Sequence, residues 1–456
     1  MAGQDLSDAI RFLYQQPDFF ETRYGHTYAT AGTNLGRVSR LLDLLDRPDK
    51  TQPCAIVAGT KGKGSTAATL AAIFQAAGYQ TGLYTQPHLH SIRERFALNG
   101  EPISAREIIA AVARVRPVLD HLLRCHADEL GVPTSYEVQT VVAMVAFEHS
   151  KMDVAVLEVG LGGRLDAVNA VDASVVGITP ISLDHTSILG DTISAIAAEK
   201  AGVIKNAQSP VVCAPQSPDA ERVIVDTTHR RCARLIRIGR DVAVGHVLRR
   251  QLEPMPRQDV QIEWRGQALR VATPLMGDHQ AVNLSVAATM AAEFASRGLT
   301  IGEEHVQAGC ALVRWPGRFE IVPGQPTVVL DGAQNDGSAR ALADALRSVY
   351  PNRRVIFLIG VSSDKDIDAI ARALFGVVGA VVATRSGHPR SASPETVATA
   401  FERLGLEVRL TQDVGAGLKM AHALADGDDL ICVTGSLFVV ADGRRSLNLP
   451  GSELSD

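Results

Sequence analysis

Short apolar runs alternate with longer amphipathic stretches through most of this chain, and that alternation sets the expected architecture. Residues 54–58, 81–85, 153–159 and 174–179 are nearly continuously apolar and rich in β-branched types, the pattern of strands covered on both faces. Between the first two, residues 65–77 are Ala-rich and close on Gly78, which predicts a helix with its C-terminal stop. Residues 105–123, 136–149 and 192–203 read as further helices, and Pro117 is expected to kink the first of them. The longest uncharged apolar run, 138–147, is expected as a buried helix. Phe96–Leu98 followed by Asn99-Gly100 reads as a strand entering a tight turn. The stretch ahead of Cys54 reads as helical with a polar loop. Residues 233–272 carry Arg, Gln and Val without a helical period, and short antiparallel strands are expected there. After Trp315-Pro316-Gly317 a second alternation begins, with strands expected at 327–330, 355–359, 380–384 and 430–433. The domain boundary is placed near Arg314, giving units 1–314 and 315–456, and no internal repeat is visible.

Composition narrows the function classes. Of 456 residues, 46% are hydrophobic and 21% charged, with a net charge of −5, so no basic face for nucleic acid is expected. No apolar run approaches the roughly 18 residues of a membrane helix. The N-terminus lacks a basic-then-apolar secretory pattern, so a cytoplasmic protein is expected. The six cysteines, Cys54, Cys125, Cys213, Cys232, Cys310 and Cys432, form no CxxC pair, which argues against a disulfide framework or a structural zinc site.

The sharpest chemical signal is Gly59-Thr60-Lys61-Gly62-Lys63-Gly64-Ser65-Thr66, set between an expected strand and helix. Glycines let backbone N–H groups converge on phosphate oxygens, the helix N-terminus adds positive potential, and Lys63 supplies a compact charge for β/γ-phosphates. Ser65 or Thr66 can offer a hydroxyl to phosphate or Mg²⁺. The spacing differs from GxxxxGK[ST], because Val57 stands where the first glycine would be and Gly64 intervenes before Ser65. The fold class expected is therefore α/β: an N-terminal, P-loop-type, mostly parallel sheet domain and a smaller C-terminal Rossmann-like α/β domain. Glu158 ends an expected strand, where a carboxylate can hold Mg²⁺, and His185 stands just beyond the next strand.

These segments resemble the folylpolyglutamate synthase and dihydrofolate synthase family of the Mur ligase superfamily. The resemblance runs in order along nearly the whole chain. It is carried by the phosphate loop, then Tyr84-Thr85-Gln86-Pro87-His88-Leu89 with Arg93-Glu94-Arg95, then the stretch Leu157 to Ala167. Asp184-His185-Thr186, Glu199-Lys200-Ala201-Gly202 and Gly277-Asp278-His279-Gln280 with Asn283 follow. Pro316-Gly317-Arg318-Phe319, Asp331-Gly332-Ala333 with Asn335, and Asp364-Lys365-Asp366 complete the series.

The resemblance implies an ATP-dependent ligase that adds L-glutamate to a pterin-bearing acceptor, dihydropteroate or a reduced folate, through an acyl phosphate. It implies ATP as co-substrate bound by Gly59, Thr60, Lys61, Gly62, Lys63, Gly64, Ser65, Asn283, Arg318 and Asp331. It implies Mg²⁺, expected as two ions, at Gln86, Glu158 and His185, and catalytic roles for Lys63, His185 and Lys200, the last carbamylated by CO₂. Thr134, Ser135, Tyr136 and Glu137, with Leu165, Asp166 and Ala167, resemble acceptor-contacting segments. On the residues alone, Thr134 to Glu137 reads equally as a helix N-cap. A monomer acting on small molecules, without nucleic acid or membrane, is expected. Three positions depart from the family pattern: Lys61 for Asn, Gln86 for the Ser that ligates Mg²⁺, and Gln334 for the His of DGAHN. Two alternatives stay open at this point: a related ligase acting on another carboxylate, disfavoured by the short stretch ahead of Gly59, and a non-catalytic nucleotide-binding regulator.

Overall fold

The structure, a computed structural model, describes residues 2–16, 35–250 and 255–456. The polar loop expected near the N-terminus falls largely outside these; the described part holds helices Ala2–Tyr14 and Leu35–Leu44.

The first sheet contains β1 (Cys54–Ala58), β2 (Thr81–Tyr84), β3 (Phe96–Leu98), β4 (Glu101–Pro102), β5 (Val154–Glu158), β6 (Val175–Ile178), β7 (Val211–Cys213) and β8 (Leu235–Arg237). Their order is β4-β3-β2-β5-β1-β6-β7-β8. Six strands are parallel, and β3 and β4 extend one edge antiparallel through the turn at Asn99 (φ 53°) and Gly100 (φ 84°). In β1, Cys54, Ile56 and Ala58 enter one apolar cluster while Ala55 and Val57 enter another, so both faces are buried. The first cluster is closed by helix Ser135–His149, whose residues 137–147 are all buried, as the run 138–147 predicted. The second is closed by helices Lys63–Ala76 and Asp278–Ser296.

A separate antiparallel sheet is formed by β9 (Val244–Arg250), β10 (Arg257–Trp264) and β11 (Gln267–Thr273). The antiparallel expectation for 233–272 thus needs one correction: Leu235–Arg237 joins the main sheet in parallel with β7. A strand that short gains its partner only from chain packing beside it. A second departure concerns the helix expected at 105–123, which runs from Ala105 to Leu130 with Pro117 inside it.

The last sheet contains β12 (Glu320–Val322), β13 (Thr327–Leu330), β14 (Val355–Ile359), β15 (Val378–Ala383), β16 (Val408–Leu410) and β17 (Leu430–Thr434), ordered β12-β13-β17-β14-β15-β16. Only β12 is antiparallel among these pairings. Two-sided burial recurs: Phe357 and Ile359 face one cluster, Ile356 and Leu358 the other. In the first sheet, the connection after β1 leads toward β2 and that after β6 toward β7, on opposite sides. The crevice between the C-terminal ends of β1 and β6 is therefore a topological switch point, where ligands of such sheets bind.

Candidate active site

The phosphate loop occupies that crevice. The Thr60 and Lys61 N–H groups donate to the Pro180 carbonyl at 3.0 and 3.3 Å. The Thr60 hydroxyl donates to Ser182 O and accepts from Ser182 N–H, both at 3.2 Å. The loop after β1 is thus stapled to the loop after β6. Gly62, at φ 89°, turns the chain into the helix, and the Asn283 side chain lies where a Cβ would stand, so both backbone sign and space require glycine. Asn283 donates to Gln280 Oε1 at 2.9 Å, and Gln280 donates to the Ser65 hydroxyl at 3.3 Å. The ring of Trp315, in the connection between the sheets, lies over Gly64. Gln280 and Trp315 escaped the sequence reading of roles, although both stood beside quoted motifs.

Two lysines converge on one carbonyl. Lys63 Nζ donates to Gly59 O at 3.2 Å and Thr60 O at 3.3 Å, and Lys200 Nζ donates to the same Gly59 O at 2.8 Å. Lys200 is 5% exposed, and burial, reinforced by the Lys63 charge, drives its pKa down to about 7. Burial also lowers Lys63, while Glu158 pulls it back up.

Glu158 ends β5 opposite Val57 of β1 and is itself 5% exposed. Its Oε2 accepts the Gln86 N–H at 3.2 Å. Burial raises its pKa, opposed by Lys63 and by Arg318, which reaches across from the segment leading into the second sheet. The Gln86 side-chain amide lies against Gly160 together with the Tyr136 ring, leaving no room for a side chain at 160. His185 adopts φ 49° ahead of the short helix Thr186–Leu189. Its N–H donates to Asp184 Oδ1 at 3.1 Å, and Asp184 Oδ2 pairs with Lys61 Nζ at 2.9 Å. Burial lowers the His185 pKa, with Asp184 opposing and Lys365, from the second domain, adding to the drop. Asp331 accepts from the N–H groups of Phe319 and Ala333 at 2.8 and 2.9 Å, fixing the turn that presents Arg318. Burial raises the Asp331 pKa and Arg318 opposes it.

The acceptor candidates divide. Thr134 and Glu137 form a capping box, with Thr134 N–H to Glu137 Oε2 at 2.8 Å and Glu137 N–H to Thr134 Oγ1 at 3.2 Å. Glu137 also holds Arg37 through Nη2–Oε1 at 2.9 Å and Nε–Oε2 at 3.1 Å, a buried pair. Thr134 and Glu137, expected beside the acceptor, thus direct these polar atoms to the capping box and to Arg37. Ser135 likewise donates its hydroxyl to Gln16 O at 2.5 Å. Tyr136 differs. It stacks on Tyr84 at 6.0 Å between centroids and donates to Asp166 Oδ1 at 3.2 Å. Asp166 accepts from the N–H groups of Gly160, Leu161 and Val168 at 2.9, 3.0 and 3.0 Å, and burial moves its pKa up to about 6. Leu165 packs against the first core and Ala167 is buried. Nearby, Arg95 donates to His88 Nδ1 at 3.0 Å and Gln139 Oε1 at 2.9 Å. Burial, then Arg95, pushes His88 down to about 3, so that ring stays neutral and accepting.

Among the described residues no cluster of three His, Cys, Asp or Glu side chains could by itself cage a metal ion. The donor set that does exist is a buried carboxylate beside a phosphate loop, with amide and hydroxyl oxygens at hand. That set suits Mg²⁺, which takes one or two carboxylates and completes its shell with phosphate oxygens and water.

Comparison with known proteins extends this geometry. The chain matches the Mur ligase middle domain over residues 57–291 and the Mur ligase glutamate ligase domain over residues 317–437. It is 36% identical to the dihydrofolate synthase/folylpolyglutamate synthase of Mycobacterium tuberculosis, covering 96% of this chain and 94% of that one. It is also 36% identical to a probable bifunctional folylpolyglutamate synthase/dihydropteroate synthase of Halobacterium salinarum, covering 92% of this chain but spanning only 50% of that longer protein. The crystal structure of the M. tuberculosis folylpolyglutamate synthase complexed with ADP and AMPPCP superposes with a TM-score of 0.85 at 34% identity, covering 98% of each chain.

Proposed function

The chain belongs to the folylpolyglutamate synthase/dihydrofolate synthase family of ATP-dependent Mur ligases, and from that premise we propose that it joins L-glutamate to dihydropteroate, a reduced folate, or both. One observation carries the reading: the buried Glu158 lies against the phosphate loop at Gly64 and shares its charge environment with Lys63 of that loop and Arg318 of the second domain. Joining a carboxylate to an amine in water is uphill. Transfer of the ATP γ-phosphoryl group to an acceptor carboxylate oxygen, with ADP leaving, makes an acyl phosphate. The glutamate amine then attacks the acyl carbon, phosphate departs, and an amide remains.

Each residue has a task in that sequence. The loop N–H groups and Lys63 neutralise the transferring phosphate, and Arg318 supplies a second positive charge when the domains meet around it. Glu158 and the Gln86 amide oxygen would hold Mg²⁺, with His185 offering a nitrogen to a second ion. When bound, that metal charge offsets the β- and γ-phosphate oxygens. Tyr136, set by Tyr84 and Asp166, provides the flat aromatic wall for a pterin ring. Lys200 is proposed to carry a carbamate. Its amine is neutral about half the time at pH 7 given a pKa of about 7, and only a neutral amine captures CO₂. Carbamylation reverses its sign beside Lys63 and turns a donor into an oxygen acceptor.

The deciding experiment is ADP release with L-glutamate and a panel of acceptors: dihydropteroate, reduced folates and unrelated carboxylates. Turnover that needs both glutamate and a pterin acceptor supports the proposal. Turnover with another carboxylate alone would redirect the substrate, and none across the panel would leave a nucleotide-binding regulator.

A further inference from the structure

The loop 88–95, which leads from Gln86 toward β3, is held by two carboxylates of very different origin. Glu94 folds back on its own loop and accepts from the N–H groups of Leu89, His90 and Ser91 at 2.8, 2.7 and 2.8 Å. The second carboxylate is Asp456, which follows the last helix, Leu437–Ser446. It accepts from the Ser91 hydroxyl at 2.6 Å and from the Ile92 N–H at 2.9 and 3.2 Å through its two oxygens. Tyr14, ending the first helix, also hydrogen-bonds to it.

The path of the chain to that point is anchored. Buried Arg444 pairs with Glu320 and donates to Pro450 O at 2.5 Å, and Leu449 packs on the second domain's core. Leu89 crosses the other way and packs on the same core. His90, 8% exposed, lies within electrostatic reach of Arg445, Arg444 and Glu453 of the second domain. The two domains therefore clasp each other at this loop. From the clasp a short bonded path leads inward: Arg95 O accepts the Thr85 N–H at 3.1 Å, and Arg95 holds His88 and Gln139. The neighbouring Gln86 N–H is held by Glu158.

We propose that Asp456 is a positioning residue that ties the segment after the last helix to the loop 88–95 and thereby couples the second domain's placement to the acceptor side of the site. The acceptor part rests on the function proposed above; the clasp itself does not. Removing the carboxylate leaves a hydroxyl and an N–H without their charged partner, and the loop is freed to move relative to Arg95 and His88.

The test compares Asp456→Asn, Asp456→Ala and Asp456→Glu in the full chain by amide hydrogen exchange, thermal unfolding and steady-state kinetics. Exchange in peptides covering 88–96 should quicken by about ten-fold in the Asn and Ala variants, with Tm within about 2 °C of the parent. The KM for dihydropteroate or folate should rise several-fold, to about ten-fold, while the KM for ATP holds, and Glu should restore part of both changes. Unchanged exchange at 88–96 would overturn the clasp. Equal rises in both KM values with a large fall in Tm would overturn the positioning role and leave a general structural one. If the parent protein shows no pterin-dependent turnover, the acceptor assignment fails, while hydrogen exchange still decides the clasp.

Discussion

Replacing Lys200 by alanine and by arginine separates a carbamate from an ordinary structural lysine. The side chain is buried, its Nζ sits 2.8 Å from Gly59 O, and its pKa falls from 10.5 to about 7. At pH 7 the neutral amine is then about half the population, against roughly 0.03% for an ordinary lysine, a thousand-fold gain in the form that binds CO₂. Lys200→Ala should lose activity by about 10²- to 10³-fold, as for removal of one transition-state partner. It also opens a gap the width of a side chain beside Lys63, so millimolar acetate or propionate should restore part of the rate, and methylamine or chloride should not. Lys200→Arg should stay inactive, because a guanidinium keeps its charge and takes up no CO₂. The same shift has a thermodynamic side. The unfolded chain holds this proton more tightly than the folded one, so burying the ammonium costs stability in full below about pH 7, and the cost vanishes as pH rises toward 10.5. The cost is on the order of 5 kcal/mol at about 1.4 kcal/mol per pH unit. In CO₂-free buffer at pH 7, Lys200→Met should therefore be more stable than the parent, and the gap should close by pH 10.5. The assay is initial ADP release for each variant with each additive at constant ionic strength, with denaturant unfolding across that pH range. Full activity in Lys200→Arg, with no rescue of Lys200→Ala by acetate, would refute the carbamate.

Three further expectations bear on the remaining assignments. Glu158→Gln keeps the side-chain size but loses the charge, so the Mg²⁺ concentration for half-maximal activity should rise about ten-fold or more; an unmoved Mg²⁺ titration would exclude Glu158 as a ligand. Glu137→Ala strips the buried Arg37 of its bidentate partner and removes the capping box, which should cost about 3–5 kcal/mol in denaturant unfolding; a normal stability with a raised acceptor KM would return Glu137 to the substrate. Gln334→His restores the family residue on the turn where the Gln334 N–H meets Ser338 at 3.0 Å, and ATP affinity measured by calorimetry should hold or rise. A large loss would mean that Gln334 belongs to a differently built nucleotide site.

How much could be read before the fold was seen depends on how local each cause is. Strands β1, β3, β13 and β14 were legible to the residue, because two-sided burial demands an unbroken apolar run. The phosphate loop was legible because glycine spacing, a lysine and a helix start lie within a few residues of one another. Leu235–Arg237 was not, since three residues carry too little pattern to declare which sheet they join. Thr134 to Glu137 was legible as two alternatives; the capping box of one of them is formed, and its Glu137 carboxylate is held by Arg37, a hundred positions away, a partner no local pattern announces.

By itself, then, the sequence determined the α/β architecture, the phosphate loop and the ordered motifs, because each of these is set by neighbours along the chain or by a fixed local period. Tertiary structure alone decided which groups share a charge environment. It placed Lys200 and Lys63 on one Gly59 carbonyl, moving the pKa of Lys200 to about 7. It brought the Arg318 charge within electrostatic reach of Glu158 and carried Asp456 to Ser91. Desolvation and Coulomb energy depend on distance through space and on buried surroundings, and neither quantity is written in the spacing of residues along a chain.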